Sequence, residues 1–309
     1  MSCESKAMKR SGAVLLMTLL LIAIMSGGIA LILAQSNHLL TLSQHSRGDA
    51  QITKIASDLK RLLPELLSKI ESARDLDYLL MLPLSSHSSD NRFSLEASLH
   101  SPLGVFNINN VCDAAGKPKE PHASILSAIF TRYPIAAPDT FINILFDTID
   151  TDLAERQEGS EIVTFFSDFH NGSIENMTQF EQIISRYLAI TKDPQILEIP
   201  WEKLIGFEGD KIDINYASPE IVSIIAPKID TATLRQITDL RTEPFESKEK
   251  LLSVAPELSS VYDPYFLVYT PGKSYPLIGE VAMQTDGESN GFRFHIDLQN
   301  RTFSRLEIQ

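Results

Sequence analysis

The chain has 309 residues and carries 27 Lys and Arg against 40 Asp and Glu, a formal net charge of −13. This acidic balance argues against nucleic acid as a partner, because affinity for nucleic acid comes largely from Lys and Arg that neutralise phosphates. The cysteines are Cys3, in a short basic segment, and Cys112, so a chain that has lost residues 1–12 can form neither an internal disulfide nor a cysteine-based zinc site.

The basic segment at the N-terminus leads directly into an apolar stretch without charges, residues 13–34. As a helix this stretch measures about 33 Å, which is enough to cross a bilayer core of about 30 Å. Secretory signal cores are shorter, at about 7–15 residues, and end in a small-x-small site. We therefore expect a membrane helix, and the basic residues Lys6, Lys9 and Arg10 place its N-terminus in the cytoplasm.

The junction between the basic segment and the apolar stretch resembles the cleavage site of prepilin peptidase substrates. It predicts a leader of residues 1–12 that is removed by a cut between Gly12 and Ala13. Most pilin-like subunits carry Glu at the fifth position of the mature chain, whereas this chain has Met17 there. A plain signal anchor is the alternative interpretation of the same segment.

Residues 52–73 predict that the helix continues beyond the membrane. Apolar residues recur at steps of three and four over this range, and charged residues take the other faces, which is typical of an amphipathic helix. Pro64 interrupts the run and is expected to kink the helix. The pattern predicts one transmembrane and stalk helix over residues 13–75.

Strand patterns flank a long helical block. Residues 93–99 alternate between apolar and polar side chains, and residues 104–110 are expected to close this first strand block. Further strands are predicted at 265–269, 278–283 and 292–297, separated by glycine-containing loops.

The order of these elements favours an insertion over two domains in tandem. We predict an α+β fold in which a pilin-like long N-terminal helix packs on an antiparallel sheet, with a large inserted all-α domain. The inserted domain is expected at 111–261, and the α/β domain is expected to combine residues 76–110 and 262–309.

Four stretches in order along the chain share one pattern. They are residues 9–17, Gly104-Val105-Phe106-Asn107-Ile108-Asn109, residues 146–152 with Gly159-Ser160-Glu161, and residues 212–218 with Arg241-Thr242-Glu243-Pro244-Phe245. Together these stretches resemble the large minor pseudopilin of type II secretion systems, the K subunit. K subunits typically lack the fifth-position Glu, as this chain does at Met17. The sequence departs from the family pattern at Thr148, where Trp is usual, and at Ile162, where Asp is usual. The paired cysteines of many relatives are missing.

The resemblance implies a structural function and no enzymatic activity. It implies processing by prepilin peptidase, N-terminal methylation, and a single-pass position in the bacterial inner membrane with the globular part in the periplasm. The implied partners are the I- and J-type minor pseudopilins and the major pseudopilin, and the implied place is the tip of the pseudopilus, where the subunit supports protein export across the outer membrane.

Met17 fits a position at the tip. In pilin-like fibres the fifth-position Glu of an incoming subunit pairs with the N-terminal amine of the subunit ahead, because an unpaired charge in the bilayer is costly. A subunit with Met17 has no such need of a neighbour ahead of it.

Residues 147–161 contain a cluster of carboxylates. The resemblance implies a structural calcium ion there, with Asp147, Asp150, Asp152 and Glu161 at the matching positions. Calcium takes six to eight oxygen ligands in flexible geometry, and close carboxylates repel unless a cation neutralises them. No EF-hand spacing is present, so a solvated acidic loop is the alternative interpretation.

Residues 214–252 resemble a helix-hairpin-helix module and give a second possible function. This is the alternative of a membrane-anchored DNA receptor, or a minor pilin, of a competence or type IV pilus system. Such hairpins bind DNA backbone through exposed N–H groups at a helix start. The turn here contains Pro227 and no glycine, and acidic residues offset its cations, which argues against DNA. Residues 267–274 do not complete a phosphate-binding loop. Residues 287–291 have the Gly-x-Ser-x-Gly spacing, but they lie in a loop between two predicted strands and not at the strand-to-helix turn that a nucleophile elbow needs.

Overall fold

The computed structural model describes residues 44–82, 84–88, 93–166, 169–285 and 288–308. Gly12, Ala13, Met17 and the apolar stretch lie outside these residues, and no helix within them is long and apolar enough to cross a membrane. The chain divides into two units, at Ser101/Pro102 and at Tyr269/Thr270. We call the unit formed by the two ends of the chain the sheet unit, and Pro102–Tyr269 the helical unit.

The first elements described in the sheet unit are two helices, α1 (Gln44–Leu67) and α2 (Ala73–Leu80). The prediction of one continuous helix to residue 75 is therefore wrong at its C-terminal end. Pro64 lies in the last turn of α1 and cannot donate a backbone hydrogen bond there. Ser72 then starts a new helix, because its side chain accepts a hydrogen bond from the backbone N–H of Asp75.

Among the residues described in this unit, five antiparallel strands form a sheet in the order β1-β2-β7-β8-β9. The predicted antiparallel sheet, in a fold that mixes helices and strands, is confirmed. The strand bounds are Leu84–His87 for β1, Phe93–His100 for β2, Pro276–Thr285 for β7, Glu288–Asp297 for β8 and Phe303–Ile308 for β9.

The apolar face of α1 is buried as the three-and-four spacing predicts, and α1 packs on β8 while α2 packs on β2. Across the sheet, Gly279 of β7 lies opposite Phe294 of β8. A side chain at position 279 would collide with the Phe294 ring, so this close approach requires glycine. The buried apolar residues of this unit include Ile52, Ile55, Leu63, Leu67, Leu76, Leu95, Leu277, Val281, Met283, Phe292, Phe294 and Ile296.

Among the described residues, the helical unit contains seven α-helices, and short 3-10 turns lie in some of the connections between them. Their bounds are Ala123–Arg132 for α3, Pro138–Ile149 for α4, Met177–Thr191 for α5, Pro219–Ile225 for α6, Thr231–Ile237 for α7, Lys248–Val254 for α8 and Tyr262–Tyr265 for α9.

This unit also holds two pairs of short parallel strands, so the prediction of an all-α insertion needs correction. Strand β3 (Phe106–Asn107) pairs with β4 (Ile205–Gly206), and β5 (Ile212–Asp213) pairs with β6 (Phe266–Leu267). Two-residue strands are too short to leave a period-two pattern in the sequence. The segment at 104–110, assigned by its pattern to the sheet domain, therefore lies in the helical unit.

An aromatic cluster forms the centre of the helical unit. Trp201 stacks on Phe141 with ring centroids 5.4 Å apart, and Phe180 meets Trp201 edge-on at 5.1 Å. Phe130 and Tyr187 pack edge-on against the same Phe141 ring. All five side chains are buried, so helices α3, α4 and α5 are held together by ring contacts as well as by apolar area.

Candidate metal centre

The carboxylates predicted as calcium ligands lie at the end of α4 and in the loop that follows. Asp147 is in the last turn of α4, Asp150 is its C-cap, and Glu161 directly precedes the 3-10 turn Ile162–Thr164. Asp147, Asp150 and Glu161 are at most 1% exposed, whereas Asp152 is exposed. Three buried carboxylates in one loop need positive partners, because burying an unpaired charge is costly.

Arg156 supplies one of these partners. Its Nη1 donates to Asp150 Oδ2 at 2.6 Å and also to Asp147 Oδ1, and its Nη2 donates to the Gly116 carbonyl at 3.0 Å. The Arg156 backbone N–H donates to Asp147 Oδ2 at 2.9 Å, and the Ser160 hydroxyl donates to the same oxygen. Both oxygens of Asp147 are therefore used inside the protein.

The other side of the cluster is not neutralised in this way. Within the ranges that the structure describes, Asp150 Oδ1, Glu161 Oε1 and Asn171 Oδ1 are buried and have no hydrogen-bond partner. Asp150, Asp152 and Glu161 can each place one carboxylate oxygen so that the three lie within 4.8 Å of one another. Since a buried oxygen without a donor is costly, this side of the cluster lacks a positive group.

Asn171 forms hydrogen bonds to two residues of this cluster. Its Nδ2 donates to the Asp152 carbonyl at 2.9 Å and to Glu161 Oε2 at 3.0 Å. These two bonds fix the orientation of the amide and leave Oδ1 as an acceptor. We call Asp147, Asp150, Asp152, Arg156, Glu161 and Asn171 the acidic site.

The electrostatics of the acidic site agree with this geometry. Burial raises the pKa of Asp150 even though the Arg156 guanidinium lowers it. Burial likewise raises the pKa of Glu161, and repulsion from Asp147, Asp150 and Asp152 adds to the shift. Both carboxylates thus bind protons more tightly than in water, because burial disfavours their charged form and the neighbouring carboxylates repel it.

The donor set fits a hard divalent cation. Carboxylate and amide oxygens from Asp150, Asp152, Glu161 and Asn171 are the ligand types that calcium prefers, and calcium tolerates irregular spacing. Of the four residues predicted as ligands, the structure brings three together. Asp147 lies with Arg156 and Ser160 instead, so it positions the loop.

Arg156 and Asn171 were not predicted from the sequence. Asn171 lies ten residues after Glu161, and no spacing rule connects them. Arg156 lies inside the acidic cluster and could have been identified as a charge that neutralises its neighbours. Glu155, another member of the cluster, accepts a hydrogen bond from the Gly159 N–H at 3.0 Å and closes the loop locally.

The hairpin that was compared with DNA-binding modules joins α6 and α7. Asp230 caps α7, and its carboxylate accepts hydrogen bonds from the N–H groups of Ala232 and Thr233 at 2.9 and 3.0 Å. A DNA phosphate would need these same groups, and it would meet a negative charge there. The geometry therefore argues against binding of nucleic acid backbone by this hairpin.

Comparison with known proteins gives a likeness in fold. No protein-family model and no curated protein sequence matches the chain. A chain from the crystal structure of the GspK-GspI-GspJ complex of the enterotoxigenic Escherichia coli type 2 secretion system is a structural neighbour, with a TM-score of 0.56. The match covers 86% of this chain and 98% of the other at 15% sequence identity. The motif resemblance noted in the sequence is thus matched by a likeness in fold to a chain of that complex.

Proposed function

We propose that this chain is a minor pseudopilin of a type II secretion system and that it forms or caps the tip of the pseudopilus. The observation that carries the proposal is the likeness in fold to a chain of the GspK-GspI-GspJ complex over 86% of the present chain. The order of elements supports it, since an N-terminal helix packed on an antiparallel sheet, with the helical unit inserted in the chain, suits a large pilin-like subunit.

The N-terminal sequence supports the same function independently of the fold. A basic leader that ends at Gly12, followed by Ala13 and an uncharged apolar stretch, suits processing by prepilin peptidase and a single pass through the inner membrane. The helical unit and the sheet unit would then lie in the periplasm. Met17 suits the first subunit of the fibre, because it brings no carboxylate into the bilayer that must find an amine ahead of it.

The acidic site would hold one structural calcium ion in this function. Asp150, Asp152 and Glu161 would supply carboxylate oxygens, and Asn171 Oδ1 would supply a neutral one. The ion would contribute the positive charge that Arg156 does not provide on this side of the cluster. Its role would be to hold the loop at 150–161 against the end of α4, with no part in any reaction.

Co-purification with the implied partners tests the assignment. The full chain, expressed with the I- and J-type minor pseudopilins and the prepilin peptidase of the same system, should be isolated as a complex with both. Gly12→Val should leave the leader attached and reduce electrophoretic mobility, whereas the neighbouring control Ser11→Ala should be processed normally. A processed chain that binds neither minor pseudopilin would contradict the proposal.

A further inference from the structure

The helical unit carries a groove that the acidic site does not involve. It lies between α5 and the segment 197–203 and has a volume of about 520 Å³. Five positions of α5 line it, and their spacing places them on one face of the helix over about three turns. These positions are Met177, Glu181, Ile184, Ser185 and Leu188.

The floor of the groove is rigid and apolar. Ile199 and Trp201 are buried beneath it, and the Trp201 indole N–H donates to the Ile196 carbonyl at 3.1 Å. Because Trp201 is also stacked on Phe141, the floor cannot collapse without breaking the aromatic cluster. At the rim, Leu197 keeps 61% of its surface exposed although it is a large apolar side chain. A preformed apolar surface of this kind suits the binding of another apolar surface.

The rim of the groove is negatively charged. Glu181 and Glu202 are exposed, and no cation within the described part of the chain lies in ion-pair range of either. Lys203 also lines the groove, and its Nζ forms an ion pair with Glu220 Oε1 at 2.7 Å. A bound segment therefore meets two carboxylates whose charge is not neutralised inside the protein.

We propose that this groove binds an amphipathic helix of another protein, with an apolar stripe that rests on Leu197 and the Trp201 floor and with Lys or Arg beside the stripe. The length of the α5 face suits a partner helix of about three turns, since helix-in-groove recognition uses apolar anchors at steps of three and four. The basic residues of the partner would lie against Glu181 and Glu202. This inference does not rest on the assignment to the pseudopilus.

Trp201 is the single tryptophan of the sequence, so tryptophan fluorescence comes from the floor of the groove. The probe is a Trp-free peptide of about 14 residues, with Leu at helical spacing and Lys at the other positions, labelled for anisotropy. Added to the full chain in a non-ionic detergent, it should bind saturably and shift the Trp201 emission over the same concentration range. A matched peptide with Glu in place of Lys should bind about tenfold more weakly or worse.

Two groove variants and one matched control locate the binding. Leu197→Asp and Glu202→Lys should each weaken binding of the Lys peptide about tenfold. Leu240→Asp is the control, because Leu240 is 64% exposed and lies outside the groove lining. Since both leucines are on the surface, neither substitution should impair folding.

Several results would overturn the proposal. The first is that anisotropy shows no binding of the Lys peptide, and the second is that the peptide binds but leaves the Trp201 emission unchanged. The third is that Leu197→Asp and Leu240→Asp weaken binding of the peptide equally. A dimer seen by light scattering that Leu197→Asp abolishes would also overturn it, by showing that a second copy of this chain fills the groove.

Discussion

The two units bury charge very differently. Among the described residues, the sheet unit buries the carboxylate of Asp77, whereas the helical unit buries five, those of Asp147, Asp150, Glu161, Asp193 and Asp213. The sheet unit thus depends on apolar packing of α1 and α2 against one face of a sheet. The helical unit depends in addition on how each buried charge is satisfied.

Within the helical unit, the buried carboxylates differ in whether all their oxygens accept hydrogen bonds. Asp193 accepts hydrogen bonds from the N–H groups of Ala136 and Gln195 and from the Tyr187 hydroxyl, so it needs no counter-ion. Asp150 and Glu161 each keep a buried oxygen without a donor, in the part of the chain that the structure describes. Among the described residues, Asp193 is thus satisfied inside the protein, whereas the acidic site leaves buried carboxylate oxygens of Asp150 and Glu161 unsatisfied.

The largest expected effect is the removal of Arg156, which tests whether the helical unit depends on neutralised charge. Arg156→Gln should destabilise this unit by about 3–5 kcal/mol, because it leaves the buried Asp147 and Asp150 without their cation. Urea denaturation followed by Trp201 fluorescence measures the change in this unit.

Lys203→Gln is the matched control for Arg156→Gln. It removes an exposed ion pair with Glu220 in the same unit, and such pairs contribute about 0–1 kcal/mol. If the two variants lose equal stability, buried charge is not what distinguishes the helical unit.

A second substitution tests whether apolar packing stabilises the sheet unit. Leu76 of α2 is completely buried in the sheet unit, so Leu76→Ala should destabilise that unit by about 3 kcal/mol through the cavity it leaves. Faster hydrogen exchange in β2 and β7, measured by mass spectrometry, should report the change. Tyr78→Ala in the same helix is the control, because Tyr78 is 45% exposed and its loss should leave exchange nearly unchanged. Equal exchange in the two variants would contradict this account of the sheet unit.

The third and smallest expected effect is that of calcium. At about 100 times its dissociation constant, calcium should stabilise the helical unit by about 2.7 kcal/mol, and a chelator should reverse the shift. Asp152→Asn should remove the stabilisation, since it takes away a ligand and leaves the Arg156 bonds intact. Glu158→Gln, at an exposed position of the same loop, should keep it. An unchanged calcium effect in Asp152→Asn would show that the ion binds elsewhere.

Periodic patterns in the sequence predicted the parts of the fold that repeat over many residues. The three-and-four spacing predicted the buried face of α1, and the alternation at 93–99 predicted strand β2 with Leu95 buried. These predictions succeed because each element shows its own period over several residues. The break between α1 and α2 was missed, although Ser72 followed by Asp75 is a recognisable helix start.

Pairings between distant residues could not be predicted in the same way. Phe106 pairs with Ile205 through two-residue strands, so no local pattern assigned 104–110 to the helical unit. In the acidic site, sequence spacing could not show that both carboxylate oxygens of Asp147 accept hydrogen bonds inside the protein. Nor could it show that Asp150 accepts from Arg156 through one oxygen and, among the described residues, leaves the other without a donor. That distinction depends on where the loop folds back, which brings Asn171 beside Glu161.

The most direct test of the proposed function is to locate this protein relative to isolated pseudopili. Pseudopili isolated from cells of the native system should be labelled with gold-conjugated antibody raised against the purified chain, and then imaged by electron microscopy. A tip subunit predicts label at one end of each fibre, and Met17→Glu predicts fewer fibres with an end label. Label spread along the shaft, or fibres that carry none, would contradict the assignment to the tip.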